Sequence, residues 1–116
     1  MDNLYNELIE LLDKLTNQKG KNFTMGKFEG IGWIDNLYSS NTHNGIYPMI
    51  SLRKYDKTVN MYVMNWNESN VININNYIEV FGSSSIGKSC IRIKKLSESR
   101  IAAIKEIVET TINNIK

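Results

Sequence analysis

The segment Gly82–Ser89 carries the residue pattern most suggestive of chemistry in this chain. It reads G-S-S-S-I-G-K-S and matches the phosphate-binding loop pattern G-x-x-x-x-G-K-[ST] at every fixed position. Such a loop binds phosphates where it opens into a helix, whose N-terminal N–H groups face the anion. The residues that follow, Ile91–Lys94, instead alternate apolar and polar side chains as a strand does. The context therefore argues against a nucleotide-hydrolysing enzyme.

Basic residues in and near this segment indicate a different kind of site. Lys88 and Ser89 end it, Arg92 follows it, and Arg53 precedes a predicted strand. A loop rich in Gly and Ser exposes backbone N–H groups beside positive charge, and this chemistry binds anions. The alternative is a set of ordinary solvated side chains, since surface charge is usually unspecialised. Arg53, Lys88, Ser89 and Arg92 are therefore the candidate residues for binding an anion or another small molecule.

The chain has one cysteine, Cys90, and one histidine, His43, which limits its chemistry. An internal disulfide and a structural zinc site both need more such residues. At the start of a predicted strand, Cys90 is expected to be a small buried hydrophobe rather than a reactive thiol. His43 is expected to be solvated in a polar loop. No catalytic Ser/His/Asp or Cys/His arrangement is evident, so the sequence predicts a binding domain and no enzyme.

Five aromatic residues offer either core packing or a binding surface. Such residues more often lie in a core or on a sheet than in a ligand pocket, and we expect that here. A protein-interaction module that docks through its sheet face stays open as an alternative, and it would show an unusually large exposed apolar patch. The five residues are Trp33, Tyr38, Tyr47, Tyr62 and Trp66.

Composition and charge narrow the class of protein. The 116 residues fit one domain, residues 1–116. A net charge of +2 and a pI of about 8.6 are too mild for a nucleic-acid partner, for which a pI above ~9 is usual. The chain has neither an early apolar run nor ~18 consecutive apolar residues, so we expect no signal peptide and no membrane partner. A single cysteine and an Asn-, Ile- and Lys-rich composition predict a cytoplasmic bacterial protein.

Amphipathic helices are predicted at both ends of the chain. Asp2–Leu15 repeats leucine at spacings of three and four, and Ser97 suits the N-cap of a C-terminal helix. Val71–Phe81 is ambiguous between helix and strand, and the helical spacing with Gly82 as a stop favours a helix. The expected inner face of the C-terminal helix consists of Ile101, Ile104, Ile107, Val108, Thr111, Ile112 and Ile115.

Strands are predicted between these helices. Pro48 suggests an edge position or a bulge for its strand. The three glycines of Met25–Gly32 predict an irregular stretch with close backbone approach, Ser39–Gly45 reads as a loop, and Arg53–Lys57 reads as a turn. The predicted strands are Ile31–Tyr38, Ile46–Leu52, Thr58–Met64 and Cys90–Lys95. Together the elements predict an α+β fold, with helices on one face of a mainly antiparallel sheet.

The segment Gly87–Leu96 reads G-K-S-C-I-R-I-K-K-L. It resembles the signature G-K-S-C-[IL]-x-[IF]-K-x-L that precedes the final helix in one branch of the YdhG-like family, a domain of unknown function numbered 1801. Gly30–Gly32 and Thr58–Met64 resemble two further motifs of that family. The resemblance is collinear from about residue 8 to the end of the chain. Trp33–Gly45 departs from the strand and loop that the family has there.

The resemblance implies a compact α+β domain and, for part of the wider group, a frataxin-like iron-chaperone role. Iron bound in that way needs exposed carboxylates on the first helix and the adjoining strand, because hard iron prefers oxygen ligands. Glu7, Glu10 and Asp13 are then the candidate metal ligands, with Asp35 as a neighbour. The alternative is the ordinary solvated face of an amphipathic helix.

Overall fold

Five antiparallel strands and two long helices form the described part of the chain, residues 2–39, 44–63, 77–87 and 90–113 of a computed structural model. The strands lie in chain order across one sheet, and each pairs with the next. The two long helices pack on one face of this sheet, which confirms the predicted α+β class. The elements are α1 (Asp2–Thr16), β1 (Lys21–Met25), β2 (Phe28–Ser39), β3 (Asn44–Lys54), β4 (Val59–Val63), α2 (Ile78–Phe81), β5 (Cys90–Ile93) and α3 (Glu98–Asn113).

The hydrophobic core lies between the sheet and these helices. Strand side chains alternate between the two faces, so every second residue of β4 points into the core. The mutual burial of these apolar surfaces is the main favourable contribution to folding. The side chains that are at most 1% exposed include Leu8, Leu12, Trp33, Ile50, Leu52, Val59, Met61, Ile91, Ile93, Ile104, Ile107 and Val108.

Helix α1 forms as predicted and buries a narrow stripe. Leu4, Leu8 and Leu12 are buried at four-residue spacing, while Leu11 and Leu15 pack at the border of the core. The helix ends where Asn17 takes the left-handed conformation, with φ 54°. Asn is one of the few residues that tolerate this conformation, which commonly ends helices.

Helix α3 begins as predicted but faces the core at a different angle. Ser97 Oγ accepts a hydrogen bond from the Arg100 N–H at 3.3 Å, which confirms the N-cap. Ala103 is buried, whereas Ile101 and Ile112 are 38% and 39% exposed, so their placement on the inner face is wrong. Each helical residue turns by about 100°, and the buried arc is rotated toward Ala103. Ile115 lies outside the described residues.

The prediction of an irregular stretch at Met25–Gly32 is wrong. β1 and β2 form a hairpin in which Met25 pairs with Phe28 across a two-residue turn. Gly26 opens that turn with φ 63°, a conformation that two-residue hairpin turns favour and that glycine adopts without strain. The expected close approach is real, because a Cβ on Gly30 would lie 2.5 Å from the Leu52 carbonyl oxygen.

β3 pairs with both β2 and β4, but its pairs with β4 begin at Ile50, so Pro48 pairs with β2 alone among the described residues. It stands opposite Asp35 in an unshifted register, so no bulge residue is inserted. The irregular backbone conformation lies in the neighbouring strand β2. Ile34 takes φ 63° and donates its N–H to Gln18 Oε1 at 3.0 Å. The β2–β3 ladder is thus interrupted at Ile34, next to the Asp35–Pro48 pair.

Other element boundaries also shift. Asn44 and Gly45 begin β3, and Arg53 ends up within it, so the predicted loop and turn are shorter than expected. The middle of that loop, residues 40–43, lies outside the described residues, as do residues 71–76 of the ambiguous segment. Its last part, Ile78–Phe81, is helical as predicted. None of the described helices is both long and apolar enough to cross a membrane.

Asp13 connects α1 to the sheet. Its Oδ1 accepts one hydrogen bond from the Gly20 N–H and one from Trp33 Nε1, both at 2.8 Å. Trp33 is 1% exposed, so its indole N–H has no access to water. A Cβ on Gly20 would lie 2.7 Å from the Trp33 ring, so the turn packs directly on the indole. One carboxylate therefore fixes the helix, the turn and β2 relative to each other.

We expect Asp13→Ala to lower the free energy of unfolding by on the order of 1–3 kcal/mol, because it leaves a buried indole N–H without an acceptor. Asp13→Asn retains an acceptor oxygen and is expected to cost less. Urea denaturation measures both changes. Glu10→Ala, an exposed change on the same helix, is the control, and equal midpoints for Asp13→Ala and Glu10→Ala would contradict the assigned role.

Candidate ligand-binding face

The candidate site lies on the sheet face that points away from α1 and α3, which we call the outer face. Ser51 and Arg53 of β3 point onto it, since Ile50 and Leu52 are buried on the opposite face. The strand register then places Arg53 beside Asn60 of β4. Neither long helix covers this face, so ligands can approach it wherever the described residues leave it exposed.

Arg53 and Arg92 lie in one row across the outer face, with Asn60 paired to both. Neighbouring strands are about 4.8 Å apart, so the Cα atoms of the two arginines are separated by about 10 Å. No ion pair within the described part of the chain involves either arginine. Two guanidinium groups without a carboxylate partner are suited to bind an anion.

Aromatic rings hold the Arg53 side chain in place. Its guanidinium carbon lies 5.2 Å from the centre of the Phe28 ring and 5.1 Å from the centre of the Tyr55 ring. Cation–π contacts of this kind restrict the side chain without consuming its N–H donors. The Arg53 guanidinium group is thus held in place before a ligand binds, and its N–H groups can still donate hydrogen bonds to that ligand.

Arg92 lies against the loop that carries the phosphate-loop pattern. Its Nη1 donates to the Ser84 carbonyl oxygen at 3.3 Å. A Cβ on Gly87 would lie in ordinary contact with Nη2 of the same arginine, at 3.5 Å, but only 2.9 Å from Cys90 Sγ, so a side chain there would displace the thiol. Two of the predicted anion-binding residues, Arg53 and Arg92, therefore share a face. The other two, Lys88 and Ser89, lie outside the described residues.

Residues 82–87, the described part of this loop, do not have the geometry of a nucleotide-binding loop. Ser83–Ser85 forms a single 3-10 turn, and after the loop the chain enters β5 rather than a helix. Its N–H groups are used internally: Ser85 donates to the Gly82 carbonyl oxygen and Gly87 to the Cys90 carbonyl oxygen. These N–H groups do not point at a phosphate, in line with the interpretation from sequence.

Polar side chains next to Arg53 form a hydrogen-bonded chain. Thr58 Oγ1 donates to Asn60 Oδ1 at 2.9 Å, and Asn60 Nδ2 donates to the Tyr62 hydroxyl at 3.4 Å. The hydroxyls of Tyr62 and Tyr55 are 3.1 Å apart. Burial, with the Tyr55 hydrogen bond, raises the pKa of Tyr62 to about 12. The phenol is therefore neutral at pH 7 and does not repel an anion.

An apolar pocket of about 160 Å3 lies beside this chain on the outer face. The Phe28 ring meets the Tyr62 ring edge-to-face, with 4.9 Å between their centres, and the Phe23 ring lies 5.5 Å away on its other side. Gly32 carries no side chain beneath them, and a Cβ there would lie 2.3 Å from Pro48 Cγ. The pocket is lined by Phe23, Met25, Phe28, Tyr47, Pro48, Ser51 and Tyr62.

A larger depression of about 540 Å3 lies at the edge formed by β1 and β2. Its lining includes Glu29, Asn22 and Thr24 but no cationic side chain. The Glu29 carboxylate would repel an anion, and the polar lining offers little apolar surface to bury. The smaller pocket beside Arg53 is therefore the better candidate site.

The carboxylates implied by the family resemblance are not brought together. Glu7 and Glu10 are exposed on α1, Asp35 is exposed on β2, and Asp13 is occupied by its two hydrogen bonds. Within residues 2–39, 44–63, 77–87 and 90–113, no three His, Cys, Asp or Glu side chains lie close enough to hold a metal ion.

The aromatic residues divide between the two faces of the sheet. Trp33 lies in the core, whereas Tyr47 and Tyr62 line the outer pocket. Cys90 is buried as predicted, and burial raises the pKa of its thiol, so the unreactive protonated form is favoured. His43, Trp66 and the Tyr38 side chain lie outside the described residues.

Four residues of the site were not predicted from the sequence: Phe23, Phe28, Pro48 and Asn60. Two patterns in the sequence could have indicated the strands β1 and β2. Phe23 and Met25 alternate with polar residues, and Gly30 and Gly32 are two apart, both at strand period. Because this region was interpreted as irregular, the sheet face that these residues share was not recognised.

No protein-family model matches the chain, and no curated protein or solved structure matches it. The resemblance to the YdhG-like family therefore stays a prediction. What the structure itself defines is a two-layer α+β domain with a basic row and an apolar pocket on its outer face.

The raised pKa of Tyr62 predicts a loss of stability in alkaline solution. In the unfolded chain a tyrosine loses its proton near pH 10, whereas folded Tyr62 keeps it to about pH 12. The folded state therefore binds more protons in this interval, and the free energy of unfolding falls as the pH rises through it. Burial also raises the pKa of Tyr77, which adds to the same trend.

We expect Tyr62→Phe to flatten this pH dependence, as measured by urea denaturation at intervals between pH 9 and the alkaline limit of folding. Tyr77→Phe should flatten it as well, and the double variant more than either. A Tyr62→Phe variant that loses stability with pH as steeply as the parent protein would contradict the assigned environment.

Proposed function

We propose that this protein is a small non-enzymatic binding domain that holds an anionic ligand on its outer face. The observation that carries the proposal is the row of Arg53, Asn60 and Arg92, in which no described carboxylate pairs with either guanidinium. Two arginines that have no carboxylate partner among the described residues, held on one rigid surface, bind a carboxylate or phosphate better than a single flexible lysine does.

Three features of the site support this role. Arg53 is positioned by two aromatic rings, so little side-chain freedom remains to be lost on binding. Asn60, which pairs with both arginines, is buried and hydrogen-bonded to Thr58 and Tyr62, so it forms a fixed polar floor between them. Both arginines stand on strands of a hydrogen-bonded sheet, which fixes their spacing more tightly than a loop would.

Other roles predicted from the sequence stay predictions. An iron-related function implied by the family resemblance would rely on Glu7, Glu10 and Asp13. Since Asp13 supports the fold, iron binding is better tested with Glu7→Gln and Glu10→Gln than with a change at Asp13. The cytoplasmic location, the bacterial origin and a protein partner likewise rest on the sequence alone.

Titration with inorganic phosphate, followed by 1H–15N NMR, tests the proposal. We expect shifts of the Arg53, Asn60 and Arg92 amides, and weaker binding at higher salt, since exposed charges are screened. Arg53→Gln and Arg92→Gln should each reduce the affinity about tenfold, because a hydrogen bond to a charged group contributes ~1.5–3 kcal/mol.

Lys105→Gln is the matched control. It removes the same charge from α3, on the other side of the sheet, where Lys105 is exposed. If Lys105→Gln weakens phosphate binding as much as Arg53→Gln does, then net charge rather than the arginine row attracts the ion. That result would refute the proposed site.

A further inference from the structure

We infer that the anionic ligand carries a single aromatic ring, which binds in the outer-face pocket while its acidic group contacts Arg53. This inference rests on the proposed anion-binding function and names the chemical class of its ligand. It concerns a carboxylate or a phosphate ester attached directly to the ring, since both present the same charge at the same place.

The size of the pocket sets the size of the ring. Its volume is about 160 Å3. A cavity of about 150 Å3 lined by apolar side chains holds one benzene molecule. The pocket therefore has room for one six-membered ring.

The lining of the pocket selects an apolar ring. The side chains of Ser51, Tyr47 and Tyr62 offer hydroxyl groups, and the remaining lining residues are apolar. A nucleobase has several donors and acceptors, and most of them would be buried without a partner, at a considerable cost. A benzene ring has none, and it can meet Phe23, Phe28 and Tyr62 in the edge-to-face arrangements that aromatic rings prefer.

Phe28 contacts both the pocket and the Arg53 guanidinium, so the positive charge lies close to a ring bound in the pocket. It lines the pocket, and the Arg53 guanidinium carbon lies 5.2 Å from the centre of its ring. An acidic substituent at the rim of the pocket would thus come within reach of the guanidinium. Arg92 stands two strands away across Asn60, where it adds positive potential without direct contact to so small a ligand.

The test compares probes that carry the ring, the charge or both, by 1H–15N NMR titration of the whole chain. Phenyl phosphate and benzoate carry both, inorganic phosphate and acetate carry only the charge, and benzyl alcohol carries only the ring. We expect each combined probe to bind about tenfold more tightly than its ring-free counterpart, because ring burial adds favourable transfer free energy. Whichever of phenyl phosphate and benzoate binds more tightly then shows whether the site prefers a phosphate or a carboxylate.

Variants assign the two parts of the ligand to the two parts of the site. Phe23→Ala is expected to weaken phenyl phosphate binding more than it weakens phosphate binding, and so to reduce the advantage of phenyl phosphate. Phe23 lies on the edge strand β1 and is only partly buried, and Phe23→Leu serves as a milder variant if the alanine variant is unstable. Arg53→Gln should weaken both probes, and Lys105→Gln neither.

The outcomes separate this inference from the proposed function. If phenyl phosphate and phosphate bind equally and both depend on Arg53, the anion site stands and the ring inference is overturned. If benzyl alcohol binds as tightly as phenyl phosphate, the acidic group contributes nothing, which also overturns it. If Arg53→Gln affects no probe, the proposed function itself is refuted.

Discussion

The indole N–H of Trp33 reaches the Asp13 carboxylate across the interface between α1 and the sheet. Because a buried donor without an acceptor costs ~1–3 kcal/mol, α1 has to lie where its carboxylate meets the indole. The same oxygen accepts the Gly20 N–H and so fixes the turn that leads into β1. By contrast, the ion pair between Lys54 and Asp2 is exposed, and such pairs contribute little to stability. One partly buried acceptor thus keeps the helical layer on a single face.

The outer face depends on this one-sided arrangement. With both long helices on the core side, the alternate side chains of the sheet are left to form a second surface. Gly32 lets the Pro48 ring approach β2 closely, and the rings of Phe28 and Tyr62 line the pocket beside it. Pro48 forms a wall of the pocket, and Ile34, next to the Asp35 that pairs with Pro48, takes a left-handed conformation that costs on the order of 1–3 kcal/mol. Strain of this kind is often found beside binding sites.

The candidate site was only partly predictable from the sequence. Arg53 and Arg92 were identified because basic residues near a Gly/Ser-rich loop are a chemical signal in themselves. Phe23 and Phe28 were not, because apolar residues are equally compatible with a core. Which face each residue occupies depends on strand register, and a shift by one residue reverses it. The carboxylates of α1 show the opposite failure: their shared helix face was visible, but the use of Asp13 as an internal acceptor was not.

The sequence by itself determined the two terminal helices, the strands β3 and β4, the strand after Gly87 and the α+β class, because periodicity and capping are local properties. It also determined that the phosphate-loop pattern opens into a strand. Only the tertiary structure decided the pairing of Pro48 with Asp35, the rotation of α3 and the alignment of Arg53 with Arg92. These depend on contacts between residues far apart in the chain, which no local pattern encodes. The β1–β2 hairpin is local, but its glycines are equally typical of an irregular stretch, so the structure was needed to decide it.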